Sequence, residues 1–244
     1  EGASLAKKTG CDVVVGLGGG SMMDAAKAIA FSVRNPGDIN DYIFGRKQGA
    51  EALPILLVPT TCGTGSEGNG FAVLTNPETK DKKSLRTNLI VAKASIVDPE
   101  LMVTLPKKML ASVGFDALAH CMEAYVSRAA QPITDLMAHE GIRLIANSLK
   151  RAWDDAGDME AWDGLSLAST FGGMVIGVVG VGVPHGMEHP ASGLRDIVHG
   201  TGLAALTPEI VRRSSVRAPQ KYGEISRQTA PTGSKRFWTA STCA

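Results

Sequence analysis

Aromatic residues are scarce in this chain of 244 residues, at 5%, and no surplus of charge is present: the formal net charge is +1. A balanced charge offers nothing to a nucleic acid or an anionic membrane surface, and ordinary apolar content argues against a disordered chain. No CxxC pair occurs among the four scattered cysteines, Cys11, Cys62, Cys121 and Cys243. Their spacing suits free thiols in a reducing compartment. No apolar leader follows the opening Glu-Gly-Ala-Ser-Leu-Ala-Lys-Lys, and the longest apolar-looking run, Phe171 to Pro184, is rich in glycine and too short for a bilayer. The expectation is a soluble cytoplasmic enzyme with no nucleic-acid or membrane partner.

Glycine is abundant instead, at 28 residues, which suits tight turns and close backbone approach to a ligand. Residues 2–9 read as a helix end and residues 12–17 as a short, buried parallel strand. Gly18-Gly19-Gly20-Ser21 follows, and helical spacing then runs from Met22 to Phe31. Strand, glycine turn and helix together cradle phosphates, because the helix start presents free N–H groups and partial positive charge. Ser21 is positioned to cap that helix. A linker or an ordinary tight turn uses the same four residues. A second buried strand, 53–58, runs into Pro59-Thr60-Thr61-Cys62-Gly63-Thr64-Gly65-Ser66-Glu67. A loop of hydroxyls and glycines at the carboxyl end of a strand is where open α/β sheets bind ligands. Residues 71–75 and 94–97 read as further strands, and Lys80 to Lys83 as a charged, largely solvated segment. From Pro106 to Asn147, and again over 161–179, the pattern is helical, which puts a boundary near Val103. Beyond residue 225 the chain turns polar and helix-breaking, and residues 226–244 read as an atypical tail.

Histidine is concentrated late. Three of the five fall between His185 and His199, and His120 stands four residues after Asp116. Asp116 and His120 share one helix face, as do His185 and His189. A carboxylate with several imidazoles in apolar surroundings is what a divalent transition metal requires. Any one helical histidine can equally cap a helix or fill a core.

The motifs, taken in order, carry a family resemblance. They are Gly18-Gly19-Gly20-Ser21-x-x-Asp24-x-x-Lys27, Pro59-Thr60-Thr61-x-Gly63-Thr64-Gly65-Ser66-Glu67, Gly114-x-Asp116-Ala117-x-x-His120-x-x-Glu123, His185-x-x-x-His189 and Asp196-x-x-His199-Gly200. Across roughly residues 1 to 225, the chain resembles the iron-containing (group III) alcohol dehydrogenases. Glu67-Gly68-Asn69-Gly70 and Leu206-Thr207-Pro208 look closest to bacterial butanol-dehydrogenase-like members.

The resemblance implies the dehydroquinate synthase-like fold of that family. A partial dinucleotide-binding α/β domain with an incomplete parallel sheet would occupy residues 1–103, and an all-α metal-binding domain residues 104–225. It implies Asp116, His120, His185 and His199 as metal ligands and His189 as a proton relay. Gly19, Gly20, Ser21, Asp24, Thr60, Thr61, Thr64 and Lys82 (or Lys83) would contact the cofactor. The metal would be Fe(II), with Zn or another divalent ion as alternatives, and the cofactor NAD or NADP. The implied activity interconverts a small primary alcohol and its aldehyde, in a homo-oligomer. Family members are longer at both ends, so the resemblance implies further strands before Glu1 and further helices after residue 225. The alternatives are a glycerol dehydrogenase, a dehydroquinate synthase-like sister enzyme, or an incompetent fragment that only binds metal.

Overall fold

The computed structural model describes residues 1–230, so Cys243 and most of the expected tail lie outside the described residues. Helix α1 (Gly2–Thr9) ends on Gly10 in the left-handed conformation. Strands β1 (Val14–Gly18) and β2 (Ile55–Pro59) pair in parallel, with Gly16 opposite Leu57. Strand β5 (Ala94–Ser95) adds to the other side of β2, so the parallel sheet has the order β1-β2-β5.

Helix α2 (Gly20–Arg34) leaves the end of β1 and packs back on the sheet. Its Met23, Ala26, Ala30 and Phe31 bury against Ile55 and Leu57. Gly16 allows that approach: a Cβ there would meet Ala26 Cβ and Leu57 Cδ2, both at 2.8 Å. Val15 and Leu17 alternate to the opposite face and are exposed. Helix α3 (Ile39–Ile43) is short and capped by Asp38.

The remaining strands correct the expected sheet. Strand β3 (Phe71–Thr75) does not join it; it pairs antiparallel with β4 (Lys82–Arg86) in a separate hairpin. The charged segment expected over 80–83 is thus partly a strand. Its apolar signal is one residue, Leu85, 3% exposed, and cross-strand pairing with β3 supplies the rest of the order. The strand expected over 94–97 keeps only two ladder residues.

Helices α4 (Lys107–Tyr125), α5 (Pro132–Asp154) and α6 (Met159–Val179) pack on one another. Local chemistry fixes their starts. Thr134 Oγ1 accepts from Gln131 N at 2.8 Å, and the Asp158 carboxylate accepts from Ala161 N at 3.1 Å. Trp162, Leu165 and Ala168 of α6 bury against Leu110, Ala117 and Ile145. By length and composition α6 could cross a bilayer, which the run from Phe171 alone does not reveal; half of its apolar window is buried in the protein.

Helices α7 (Val183–Arg195), α8 (His199–Ser214) and α9 (Pro219–Thr229) complete the described chain. Helix α9 runs four residues past the expected limit at 225, because it is tied down. Lys221 Nζ donates to Tyr125 O at 2.6 Å and to Asp135 at 2.9 Å, and Tyr125 hydrogen-bonds Glu224. The polar Gln228 lies on the outward side, beside His139.

Candidate metal and dinucleotide site

Three helices bring the histidines to one carboxylate. Asp116 and His120 sit one turn apart on α4, His185 near the start of α7, and His199 at the first position of α8. The Nε2 atoms of His185, His120 and His199 lie 3.3, 3.6 and 3.6 Å from the same Asp116 Oδ1. Asp116, His120 and His185 are 3%, 5% and 1% exposed. The His120 and His185 rings stack at 4.5 Å.

These spacings fit a metal. Four donors placed about 2.1 Å from one ion at tetrahedral corners stand about 3.4 Å apart, close to the three separations observed. His120 adds an independent sign. Its Nδ1 is buried without a partner, and 3.6 Å from Nε2 to Asp116 is too long for a hydrogen bond. A buried imidazole left without hydrogen bonds has a lone pair to offer an ion.

Two further carboxylates, both missed at the ligand level by sequence reasoning, aim the rings. His185 Nδ1 donates to Glu123 Oε1 at 2.6 Å, and Glu123 Oε2 accepts from Gly182 N at 2.5 Å. His199 Nδ1 donates to Glu188, which also accepts from Ser192 Oγ. Carboxylates behind ligand histidines fix tautomer and ring orientation. Glu123 was visible as the last residue of the Asp116 motif and Glu188 as the neighbour of His189, but neither spacing reveals the pairing.

Electrostatics follow from this crowding. Burial pushes Asp116 up, yet the three histidines outweigh it and hold the carboxyl far below its usual range. Burial lowers His120 to about 4, with His185 and His199 adding to the effect. Burial also opposes charge on His185, but hydrogen bonds to Asp116 and Glu123 win and lift it to about 9. His189 is pushed down to about 3 by burial and by His199, His185 and Lys82. Its ring stands 5.3 Å from His199 and 5.9 Å from His185, and Glu188, His189 and His199 form a second convergent group.

The same cleft, about 370 Å³, takes in the glycine turn. Gly19 is the N-cap of α2 and Gly20 its first residue, so Ser21 lies inside the helix and makes no cap hydrogen bond, unlike the expectation. Thr64 lies directly over the turn: a Cβ on Gly20 would meet its Oγ1 at 2.9 Å. Gly20, Ser21, Asp24, Thr64 and Lys82 all line the cleft, together with Asp116, His120, His185, His189 and His199. Thr60 and Thr61 sit behind it. Thr60 N donates to Gly18 O at 2.9 Å, and the Thr61 methyl lies 3.2 Å from where a Gly19 Cβ would be. Alternation along β4 separates the two lysines, with Lys82 facing this cleft and Lys83 a different surface hollow.

Asp24 reaches the cleft but is spent internally. Its carboxylate accepts from Ser66 Oγ at 2.7 Å and Val73 N at 2.9 Å, and burial raises its pKa. Lys27, 0% exposed, is the centre of that cluster. Its Nζ donates to Ser66 O at 2.6 Å, Ser66 Oγ at 2.8 Å, Phe71 O at 2.7 Å and Asn69 O at 2.9 Å. Gly65, at φ +58, meets α6 so closely that a Cβ would stand 2.4 Å from Gly173 N.

A short parallel sheet carrying a glycine turn, set against helices that focus three imidazoles on one carboxylate, defines an α/β-plus-helical architecture with a candidate metal centre. Residues 1–99 match the family model described as iron-containing alcohol dehydrogenase, and residues 110–239 the C-terminal model of the same family. The chain belongs to the iron-containing alcohol dehydrogenase family. It is 38% identical over 230 residues to a choline dehydrogenase of Bacillus subtilis (strain 168), covering 93% of this chain and 57% of that protein. It is 36% identical over 231 residues to a 1,3-propanediol dehydrogenase of Klebsiella pneumoniae, covering 93% and 58%. The crystal structure of a 1,3-propanediol oxidoreductase superposes with a TM-score of 0.88 at 34% identity, covering 96% of this chain and 62% of that one. The chain thus spans just under three fifths of the length of these two curated relatives.

Proposed function

We propose that this chain is the site-bearing part of an NAD(P)-linked, iron-dependent alcohol dehydrogenase that interconverts a small primary alcohol and its aldehyde. The observation that supports this is the convergence of Asp116, His120, His185 and His199 in the cleft that also holds the glycine turn of α2. Residues 1–103 would serve as the cofactor lobe and residues 104–225, with α9, as the metal lobe. Relatives named for NAD, an NAD-dependent methanol dehydrogenase of Bacillus methanolicus among them, favour NAD. The donor set of imidazole and carboxylate suits Fe(II) and Zn alike, and membership of the iron-containing family favours Fe(II).

Asp116, His120, His185 and His199 would hold the metal, with Glu123 and Glu188 fixing two of the rings. When bound, the metal supplies Lewis acidity toward the alcohol oxygen, and the nicotinamide supplies a hydride acceptor. The start of α2 would hold the pyrophosphate on its N–H groups, and Ser21 and Thr64 would contribute hydroxyls there. Thr60 and Thr61 brace that turn from behind, Asp24 anchors it to β3, and Lys82 adds a positive charge. His189, which lines the cleft with its ring 5.3 Å from His199, would relay the alcohol proton. Buried thiols at Cys62 and Cys121 suit a reducing cytoplasm, and a homo-oligomer is the expected assembly.

The test is anaerobic oxidation of NADH and of NADPH with butyraldehyde on the Fe(II)-loaded chain, beside a chelated control. Metal-dependent oxidation is the expected result. Metal bound near one per chain with no oxidation would overturn the dehydrogenase reading for this chain and leave a metal-binding one.

A further inference from the structure

The metal-binding groups of the cleft fall into two sets. Asp116, His120 and His185 offer ligand atoms within 4.8 Å of one another, and so do Glu188, His189 and His199. The inner set is buried on every side. The outer set opens to the cleft through His189 and His199, and the His199 side chain is 26% exposed. His199 also touches the inner set: its Nε2 stands 3.6 Å from Asp116 Oδ1, while its Nδ1 donates to Glu188. Glu188 and His189 sit on α7 and His199 begins α8, so the outer set spans the corner between those helices.

A buried inner set poses a problem of access. Moving a divalent ion out of water is costly unless ligands replace its water on the way. The outer set offers such ligands. The His189 ring lies 5.3 Å from that of His199 and 5.9 Å from that of His185. Among the described residues no hydrogen bond reaches the His189 ring, so a neutral imidazole there keeps a lone pair for an ion. Glu188 brings negative charge. It accepts from His199 and from Ser192 Oγ, and a carboxylate with about four lone-pair sites has acceptor capacity left for an ion. Lys82 lines the same cleft and repels cations, so ligand atoms rather than the field must collect the ion.

We infer that Glu188, His189 and His199 form an entry site for a divalent transition-metal ion. The ion passes from there to Asp116, His120 and His185, with His199 common to both stages. Its remaining waters leave into the cleft, and His189 lets go once the transfer is complete. The inference rests on the metal reading of the inner set.

The test is stopped-flow loading of the metal-free chain with Co(II), followed by visible absorption, alongside the equilibrium Kd. In the native chain the observed rate should rise with Co(II) and then level off, as transfer between the sets becomes limiting. His189→Ala should slow loading about tenfold or more while Kd stays within about twofold, because an interaction made only on the way in alters rate and not equilibrium. His189→Asp, which restores a ligand atom, should recover part of the rate. His120→Ala disrupts only the inner set, so it should keep the fast phase and lose the slow one. A native rate that never levels off, native-like loading in His189→Ala, or a Kd that weakens as much as the rate overturns the entry site. A native chain that takes up no Co(II) overturns the metal reading as well, so the two failures are distinct.

Discussion

Two buried polar clusters face each other across the cleft, and they differ in one ingredient. The cluster around Lys27 contains its own cation, which donates to oxygens of Ser66, Asn69 and Phe71 beside the Asp24 carboxylate. The cluster around Asp116 contains a carboxylate and three imidazole nitrogens at 3.3 to 3.6 Å, with His120 Nδ1 orphaned. The first is closed on itself and holds the hydroxyl-rich loop and β3 onto α2. The second turns four donor atoms inward on one point and leaves His120 Nδ1 without a partner. Burying a charge is costly without compensation, so a closed cluster reads as scaffold and an open one as a binding site.

Removing the internal cation should have the largest effect. Lys27→Met leaves Asp24 buried and uncompensated, with Phe71 O and Asn69 O short of a donor. The expected loss is about 3–5 kcal/mol, measured by urea unfolding. A loss under about 1 kcal/mol, the scale of one ordinary hydrogen bond, would break the view that this cluster is structural. The pH profile sharpens it. Burial lowers the Lys27 ammonium to about 8 from 10.5, so the unfolded chain binds more protons between those values. The cost of keeping the buried Lys27 protonated is therefore absent above 10.5 and is fully incurred once pH has fallen through 8. The gap between native chain and Lys27→Met should widen as pH rises across that window.

The open cluster should respond to metal instead. At a free metal concentration of about one hundred times Kd, loading adds about 2.7 kcal/mol, and chelation should remove it as a drop in Tm. His199→Ala should show no chelator-dependent shift, and an unchanged one would remove His199 from the ligand set. Glu123→Gln keeps the shape around His185 but weakens its acceptor. Metal affinity, read by competition with a chromogenic chelator, should fall about 10- to 100-fold.

The ligand side of the open cluster was legible because helical period converts spacing directly into geometry. Asp116 and His120, one turn apart, had to share a face, and the glycine turn after a β-branched run had to begin a helix. The closed cluster was much less so. Lys27 meets Ser66 and Asn69 across 39 and 42 residues of chain, and no local period encodes that contact. The second hairpin strand escaped for a similar reason: Lys82-Lys83-Ser84-Leu85-Arg86 offers a single apolar residue, and its order comes from β3. Glu123 and Glu188 stood inside recognised motifs, yet their partners lie on other helices.

The smallest effect tests whether the two clusters are independent. Helix α6 runs between them. Thr170 Oγ1 donates to Glu67 Oε1 at 2.8 Å, beside the closed cluster, while Gly172 approaches His120 so that a Cβ would stand 3.2 Å from His120 Cβ. Glu67 is raised by burial, and its Oε2 has no partner. Thr170→Val keeps the side-chain shape and removes this donor. The cost should be about 1 kcal/mol, seen as a fall in Tm of about 2–4 °C. Metal affinity should not move, since nothing around His120 changes its charge or hydrogen bonding. If affinity falls together with Tm, strain passes along α6 from Thr170 to Gly172. The closed cluster then sets the geometry of the open one, and the contrast between scaffold and binding site no longer holds.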